Sequence, residues 1–287
     1  MTPYTIFAAL LAFAPPLFRK HEFLLFDDLE NLGARNVPEL YGGLSWAGLL
    51  WCWRDARLLG VSEPVATTAK LLLHTAAQAG RIPPAAAYHA FSTVVHCCNT
   101  ALLSVLAGRH SGDEAAAGLA AAAWAVHPLR AQAVAWASGL PLLLATCFTL
   151  LAALAHLGSL RSSAGSGAAA WGLRTGLTAT LVLLATLCKA TAVPAPALLW
   201  AVGVAHHARA PGTTLAKSGL LSLRSTLWTV PGSLVGISVA LLANASDVSG
   251  GSIATTLRLS RGQIERALGA LGWYVAKTAW PGPTALR

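Results

Sequence analysis

Apolar segments close to the length of a membrane span recur along most of this chain. A straight span needs about 20 residues, so several of these segments are short. Charged residues make up 11% of the chain, against about a quarter in soluble domains, and the mean hydropathy is +0.59. These features predict an all-α fold, a polytopic transmembrane helix bundle that forms one domain over residues 1–287. The predicted segments, about eight in all, are residues 4–18, 85–107, 115–128, 133–157, 175–188, 190–205, 225–243 and 266–281.

One long polar segment, residues 19–84, follows the first apolar segment and carries most of the acidic residues. Seven of the eleven Asp and Glu residues lie between residues 22 and 63. Residues 44–53 contain three Trp and are too short to span, which predicts a helix at the membrane interface. Residues 65–79 predict a second interfacial helix, and residues 85–281 then form the helix bundle.

The order of the segments assigns the connecting loops to two faces of the membrane. If the acidic loop lies on one face, here called the acidic face, then Arg130 and Lys189 lie there too. The Asn244-Ala245-Ser246 glycosylation sequon falls in a loop on the same face, which would be the lumen in a eukaryotic cell. An excess of Lys and Arg is typical of the cytosolic side. The short loops of the opposite face, here called the basic face, receive six basic residues: Arg109, Arg161, Arg174, Arg209, Lys217 and Arg224. The short connections of the acidic face receive four: Arg130, Lys189, Arg258 and Arg261.

Asp28, assisted by Asp27, is the first candidate for the catalytic residue of the acidic loop. A carboxylate at a membrane surface can deprotonate a hydroxyl acceptor as that acceptor attacks a sugar. Adjacent Asp residues are also common in turns and at helix N-caps, so a solvated loop is the alternative interpretation. Glu63, which precedes Pro64 in the same loop, is a further acidic candidate.

His89, Thr93, His96 and Thr100 follow spacings of four, three and four, so they lie on one face of the second segment. The two histidines are about 10 Å apart along the helix axis, too far to share one metal ion without other ligands. A polar stripe that faces the bundle interior is therefore the alternative to a site. His89 and His96 stay as site candidates, and no metal is predicted.

Two cationic positions on the acidic face are candidates for binding an anionic headgroup. His127 and Arg130 lie in a polar turn between two spans, where a guanidinium can hold a phosphate in a forked geometry. An ordinary loop with interfacial Trp residues is the alternative. Lys189 stands alone between two apolar segments, where an ammonium lies at an interface, snorkels or serves a function.

Five blocks in this order resemble a known family, the transmembrane and tetratricopeptide-repeat-containing protein O-mannosyltransferases of the GT-C superfamily. The resemblance covers nearly all of residues 20–287. The blocks are Phe26-Asp27-Asp28-Leu29-Glu30-Asn31, the Tyr88-His89 pair with His96, His127-Pro128-Leu129-Arg130 through Val134 to Gly139, Leu187-Cys188-Lys189 with Pro194, and Leu271-Gly272-Trp273-Tyr274-Val275 through Pro281.

The resemblance implies transfer of mannose from a dolichyl- or polyprenyl-phosphate donor to Ser or Thr of proteins, in the endoplasmic reticulum membrane. It implies no metal or other cofactor. Asp27 or Asp28 would be the base, and the turn from His127 to Arg130 would lie near the donor phosphate, with Lys189 as a further phosphate ligand. The family's tetratricopeptide repeats are absent from residues 1–287 and are expected beyond them.

Three departures from the family pattern each remove a charged group from the predicted site. Gln132 stands where Glu is expected, Pro141 falls where Arg and Asp often follow Ser-Gly, and Ala190 follows Lys189 where Glu is common. They motivate the alternative of a non-catalytic membrane scaffold that recruits partners through the repeats. A transporter is a third alternative, but no inverted repeat with broken helices is evident. Nucleic acid is not an expected partner, because the net charge of +9 comes from scattered residues.

Overall fold

A computed structural model describes Leu10 and residues 22–23, 27–162, 168–247 and 261–279. The described residues are mostly helical, with one isolated antiparallel bridge between Leu58 and Val61 and no strand of a sheet, so the all-α prediction is confirmed. The α-helices are α1 (Asp27–Leu32), α2 (Trp46–Arg54), α3 (Pro64–Ala79), α4 (Pro84–Ser111), α5 (Glu114–Val126), α6 (Ala131–Ala135), α7 (Leu140–Ser162), α8 (Ala168–Cys188), α9 (Ala195–His207), α10 (Leu215–Thr226), α11 (Val230–Asp247) and α12 (Arg261–Ala279).

Three described helical stretches are long and apolar enough to cross a membrane, which indicates a membrane protein. They are Pro84–Ser111, Ala137–Arg161 and Ala169–Cys188, at the predicted second, fourth and fifth segments. The predicted third segment is the shorter apolar helix Glu114–Val126. The predicted sixth, seventh and eighth segments fall on α9, α11 and α12, which are not among the three, and residues 4–18 lie outside the described residues apart from Leu10.

Small residues let the central helices approach closely. Ala152 and Ala153 on α7 are fully buried against Val182 on α8 and Leu199 on α9, in one core cluster. Close approach through Ala and Gly is the usual way for helices to associate in lipid, where apolar burial alone gives little driving force. Ser138, just before α7, bonds to Asp28, and Lys189, just after α8, pairs with Glu63, so α7 begins and α8 ends on the acidic face.

The polar segment before the bundle contains both predicted interfacial helices, and they differ in burial. On α2, Trp46 and Trp53 are 75% and 53% exposed, as expected of side chains that sit at a membrane interface. On α3, by contrast, Lys70, Leu71 and His74 are fully buried, because this helix packs against α4 and α8. The second helix is thus part of the packed bundle.

The last two helices differ from the predicted boundaries. α11 continues to Asp247, so Asn244 lies in its last turn and not in the following loop as expected. Ala and Leu before the sequon, both strong helix formers, account for the extension. α12 carries four charged residues, Arg261, Glu265, Arg266 and Lys277, which distinguishes it from the apolar spans.

Candidate active site at the acidic face

Hydrogen bonds from Ser138 to Asp28 connect the acidic loop to the start of α7. The Asp28 side chain is fully buried, and its Oδ1 accepts hydrogen bonds from the Ser138 backbone N–H at 2.8 Å and from the Ser138 hydroxyl at 2.6 Å. The Asn31 amide donates to the same hydroxyl at 3.2 Å. Asp28 and Asn31 are separated by three residues on one face of α1, which is why both reach Ser138. This network joins two blocks that lie 110 residues apart in sequence.

Gly139 is required by the tight turn that presents Ser138. Residues Ala137–Gly139 form a 3-10 turn directly before α7. A Cβ at Gly139 would lie 2.5 Å from the Ala133 carbonyl oxygen, closer than real Cβ atoms approach. Both residues of the Ser-Gly pair therefore have a structural role: Ser138 hydrogen-bonds to Asp28, and Gly139 permits the tight turn against Ala133.

A polar pocket of about 500 Å³ opens beside this network. It brings together three of the predicted site residues: Asp27 from α1, Arg130 from the turn after α5, and Lys189 from the end of α8. Asp28 and His127 are not among its lining residues. The pocket is also lined by Asn31, Leu59, Leu129, Gln132, Ala133, Trp136, Ser138, Gly139, Leu142, Thr191 and Tyr274.

Arg130 is half-buried in the wall of this pocket. Its guanidinium carbon lies 5.2 Å from the centre of the Trp124 ring, a cation–π contact. Burial lowers the pKa of Arg130, although a guanidinium stays charged at any physiological pH. Among the described residues, neither the Nε of Arg130 nor the Nε1 of Trp136 has a hydrogen-bond partner, and both are buried. Two unmet donors at one pocket favour an acceptor-rich ligand.

Lys189 and Glu63 form an ion pair at the other side of the pocket. The Lys189 ammonium lies 2.7 Å from Glu63 Oε1, with the Lys side chain 34% exposed and the Glu side chain 9% exposed. Glu63 directly precedes α3, and Lys189 occupies the extended residue after α8, so the pair connects the polar segment to the bundle. Glu63 thus holds Lys189 at the pocket.

Lys70 is a buried cation that sequence reasoning missed. It is 1% exposed, and it interacts electrostatically with Glu63, Lys189 and Asp28. Burial lowers its pKa to about 8, although Glu63 opposes this shift. The signal was present, because Thr67, Lys70 and His74 follow helical spacings of three and four in an otherwise apolar segment. Lys70 and Lys189 therefore both lie close to the buried Glu63 carboxylate, and Lys70 also interacts with the buried Asp28.

The histidine candidates lie elsewhere. His127 Nδ1 accepts from the Leu129 backbone N–H, so its Nε2–H donates to the Thr278 carbonyl at 3.2 Å, and the ring connects α12 to the turn. His89 and His96 are buried inside the bundle, 9% and 0% exposed, together with Thr93. His96 Nε2 lies 3.0 Å from the Ala125 carbonyl of α5. These contacts place the stripe in helix–helix packing.

An apolar groove continues from the polar pocket along the bundle. Its volume is about 330 Å³, and it runs between α7 and α9. Leu142 and Thr191 line both the groove and the polar pocket, so the two spaces adjoin. The groove's other walls are mainly aliphatic: Ala145, Thr146, Thr149, Leu150, Ala192, Pro194, Ala195 and Leu198. An elongated apolar chain fits such a surface next to a charged head.

Metal ligands do not cluster in the part of the chain that the structure describes, where no three His, Cys, Asp or Glu side chains come together. The absence of a metal requirement stays a prediction. No protein-family model, curated protein or solved structure matches this chain. The family resemblance of the sequence blocks is therefore an expectation, and the geometry at the acidic face is the independent basis for a function.

Proposed function

We propose that this protein is a membrane glycosyltransferase that moves mannose from a dolichyl- or polyprenyl-phosphate donor to Ser or Thr of a protein. One observation carries the proposal: a polar pocket with Asp27, Arg130 and Lys189 adjoins an apolar groove at Leu142 and Thr191. A lipid-linked sugar matches this arrangement, because its polar sugar and charged phosphate would occupy the pocket and its apolar chain would occupy the groove.

Arg130 and Lys189 are the donor phosphate ligands in this proposal. Both cations line the pocket, and the unmet Nε of Arg130 provides a hydrogen bond as well as charge. Hydrogen bonds between a cation and a phosphate are about twice as strong as neutral ones, and they strengthen as the leaving phosphate gains charge. The Glu63 ion pair keeps Lys189 in place without occupying the pocket, since Glu63 is not a lining residue.

Asp27 is the general base in this proposal, because it is the acidic residue that lines the pocket. The acceptor oxygen attacks the anomeric carbon, and the bond from that carbon to the phosphate oxygen breaks. The electron pair stays on the phosphate beside Arg130 and Lys189, and the hydroxyl proton goes to the Asp27 carboxylate. Asp28 acts through Ser138 as a positioning residue, since its side chain is fully buried.

The test is a mannose-transfer assay on the purified protein in lipid nanodiscs, with three substitutions on α1. Asp27→Asn is expected to lower kcat by 100-fold or more, the usual contribution of a general base. Glu30→Gln is the matched control, because Glu30 is exposed on the same short helix. Equal activity of Asp27→Asn and Glu30→Gln would exclude Asp27 as the base. Asp28→Asn is expected to lose both activity and thermal stability.

A non-catalytic scaffold is the second candidate, and one feature of the pocket favours it. Gln132 lines the pocket as a neutral side chain where the family resemblance leads us to expect Glu. In a scaffold the pocket would hold no lipid-linked sugar, and Asp27→Asn would leave partner capture by the full-length protein unchanged. Retention of a lipid-phosphate sugar together with transfer activity in the wild type would rule this candidate out.

A further inference from the structure

A second pocket, of about 230 Å³, lies near the basic face and shares no lining residue with the pocket at Asp27. Its walls come from α7, α8, α9 and α10, and they include His156, His207 and Arg224. We propose that this pocket binds the phosphate-bearing headgroup of an anionic membrane lipid. This site is separate from the proposed catalytic pocket and does not depend on the proposed function.

The charge around the pocket is positive. Arg224 is the permanently charged residue among its described lining residues, and it forms no salt bridge with any described acid. Nearby, His206 interacts electrostatically with Arg161 and Arg209. Asp113 and Glu114 begin α5 on the same face, but neither lines the pocket. Basic pockets between membrane helices on this side of a bilayer attract anionic headgroups.

A buried imidazole gives the pocket an unmet polar atom. His156 on α7 is only 3% exposed, and its Nε2 has no hydrogen-bond partner among the described residues. Buried polar atoms nearly always have a partner, so an ordered water is expected at this nitrogen, which faces Gly203 of α9. Hydroxyl groups of Ser159 and Thr175 line the same space and are potential donors to phosphate oxygens.

The surroundings favour a lipid over a soluble phosphate. α10 buries Ser218 and Ser222 while it exposes Leu215 and Leu220 by 72% and 71%, the reverse of a helix in water. Its outer face therefore suits contact with acyl chains. Trp171, 40% exposed, lines the pocket as interfacial Trp residues do. The pocket is smaller than sites for drug-sized ligands, which begin at about 300 Å³, so it admits a headgroup and leaves the chains outside.

Native mass spectrometry of the purified protein with dioleoyl phosphatidic acid tests this site. Arg224→Gln is expected to weaken retention of the lipid about ten-fold, the effect of losing one hydrogen bond to a charged group. Lys217→Gln is the matched control, because Lys217 is also exposed on α10 and does not line the pocket. Arg130→Gln is a comparison variant that reports on any lipid held at the acidic face instead.

The proposal predicts that Lys217→Gln binds phosphatidic acid like the wild type and that phosphatidylcholine is retained at least ten-fold less. Equal retention by Arg224→Gln and Lys217→Gln would overturn it. A loss of retention in Arg130→Gln alone would also overturn it, because the lipid would then occupy the acidic face. Displacement of the lipid by millimolar inorganic phosphate would show a site for free phosphate instead of a lipid headgroup.

Discussion

Asp27 and Asp28 are adjacent residues of the same type, but their side chains lie in different surroundings. The sequence alone does not predict this difference. Successive residues of a helix point about 100° apart, so one carboxylate lines the pocket while the other is buried against Ser138. The sequence singled out both residues correctly as unusual in an apolar chain. It ranked Asp28 first as the catalyst, whereas the pocket favours Asp27. The partner that decides the matter, Ser138, is distant in sequence.

The bond from Ser138 to Asp28 is expected to contribute to stability. In Ser138→Ala the buried carboxylate keeps the backbone N–H and loses the hydroxyl, which costs about 1.5–3 kcal/mol for a hydrogen bond to a charged group. The measurement is the thermal midpoint of the purified protein in nanodiscs. Ser238→Ala is the control, since Ser238 is exposed and bonds only within its own helix. Equal midpoints for the two variants would contradict the assigned role.

Lys70 is expected to make stability depend on alkaline pH. Its pKa is about 8 in the folded protein, below the ordinary value of 10.5, so the unfolded chain binds more protons between these values. Stability from this group therefore rises as the pH increases from about 8 to about 10.5, by up to about 3 kcal/mol. Between these pH values, we expect the thermal midpoint of Lys70→Met to rise less than that of the wild type. Parallel curves for the two proteins would show that Lys70 is not buried as a cation.

At the scale of the elements, the sequence predicted where helices occur better than how they pack. Long apolar runs marked the three helices that are long and apolar enough to cross a membrane, because hydropathy over 20 residues is a strong signal. The sequence did not predict that α3 is buried or that α10 exposes its leucines, because both properties depend on the neighbouring helices. The end of α11 was predicted at residue 243, too early, because the polar sequon was read as a loop although the helix continues to Asp247.

The contact between α9 and α10 depends on Gly203. A Cβ there would overlap the Ser222 hydroxyl, which donates to the Trp200 carbonyl at 2.6 Å. Gly203→Ala is therefore expected to destabilise the protein by about 1–3 kcal/mol through overpacking. Gly176→Ala on α8 has nothing within 4 Å of the new Cβ and is expected to be neutral or stabilising by up to about 1 kcal/mol. A lower thermal midpoint for Gly176→Ala than for Gly203→Ala would refute this packing.

At the scale of the whole molecule, the two faces carry different pockets. The sequence placed Asp27, Arg130 and Lys189 on one face by counting spans, and the structure brings all three to one pocket. The alternation of helices explains this success, because it depends on the number of segments and not on their exact ends. The apolar groove was not predictable, since its walls come from α7 and α9, which are separated by α8.

The most direct test of the central claim is the affinity of the purified protein for farnesyl phosphate, a short polyprenyl phosphate, measured by native mass spectrometry. The double variant Arg130→Gln with Lys189→Gln is expected to bind at least ten-fold more weakly than wild type. Arg35→Gln, an exposed cation outside the pocket, is expected to bind like wild type. Farnesol, which lacks the phosphate, is expected to bind the wild type and the double variant equally. Unchanged farnesyl phosphate affinity in the double variant would contradict a donor-binding pocket at the acidic face.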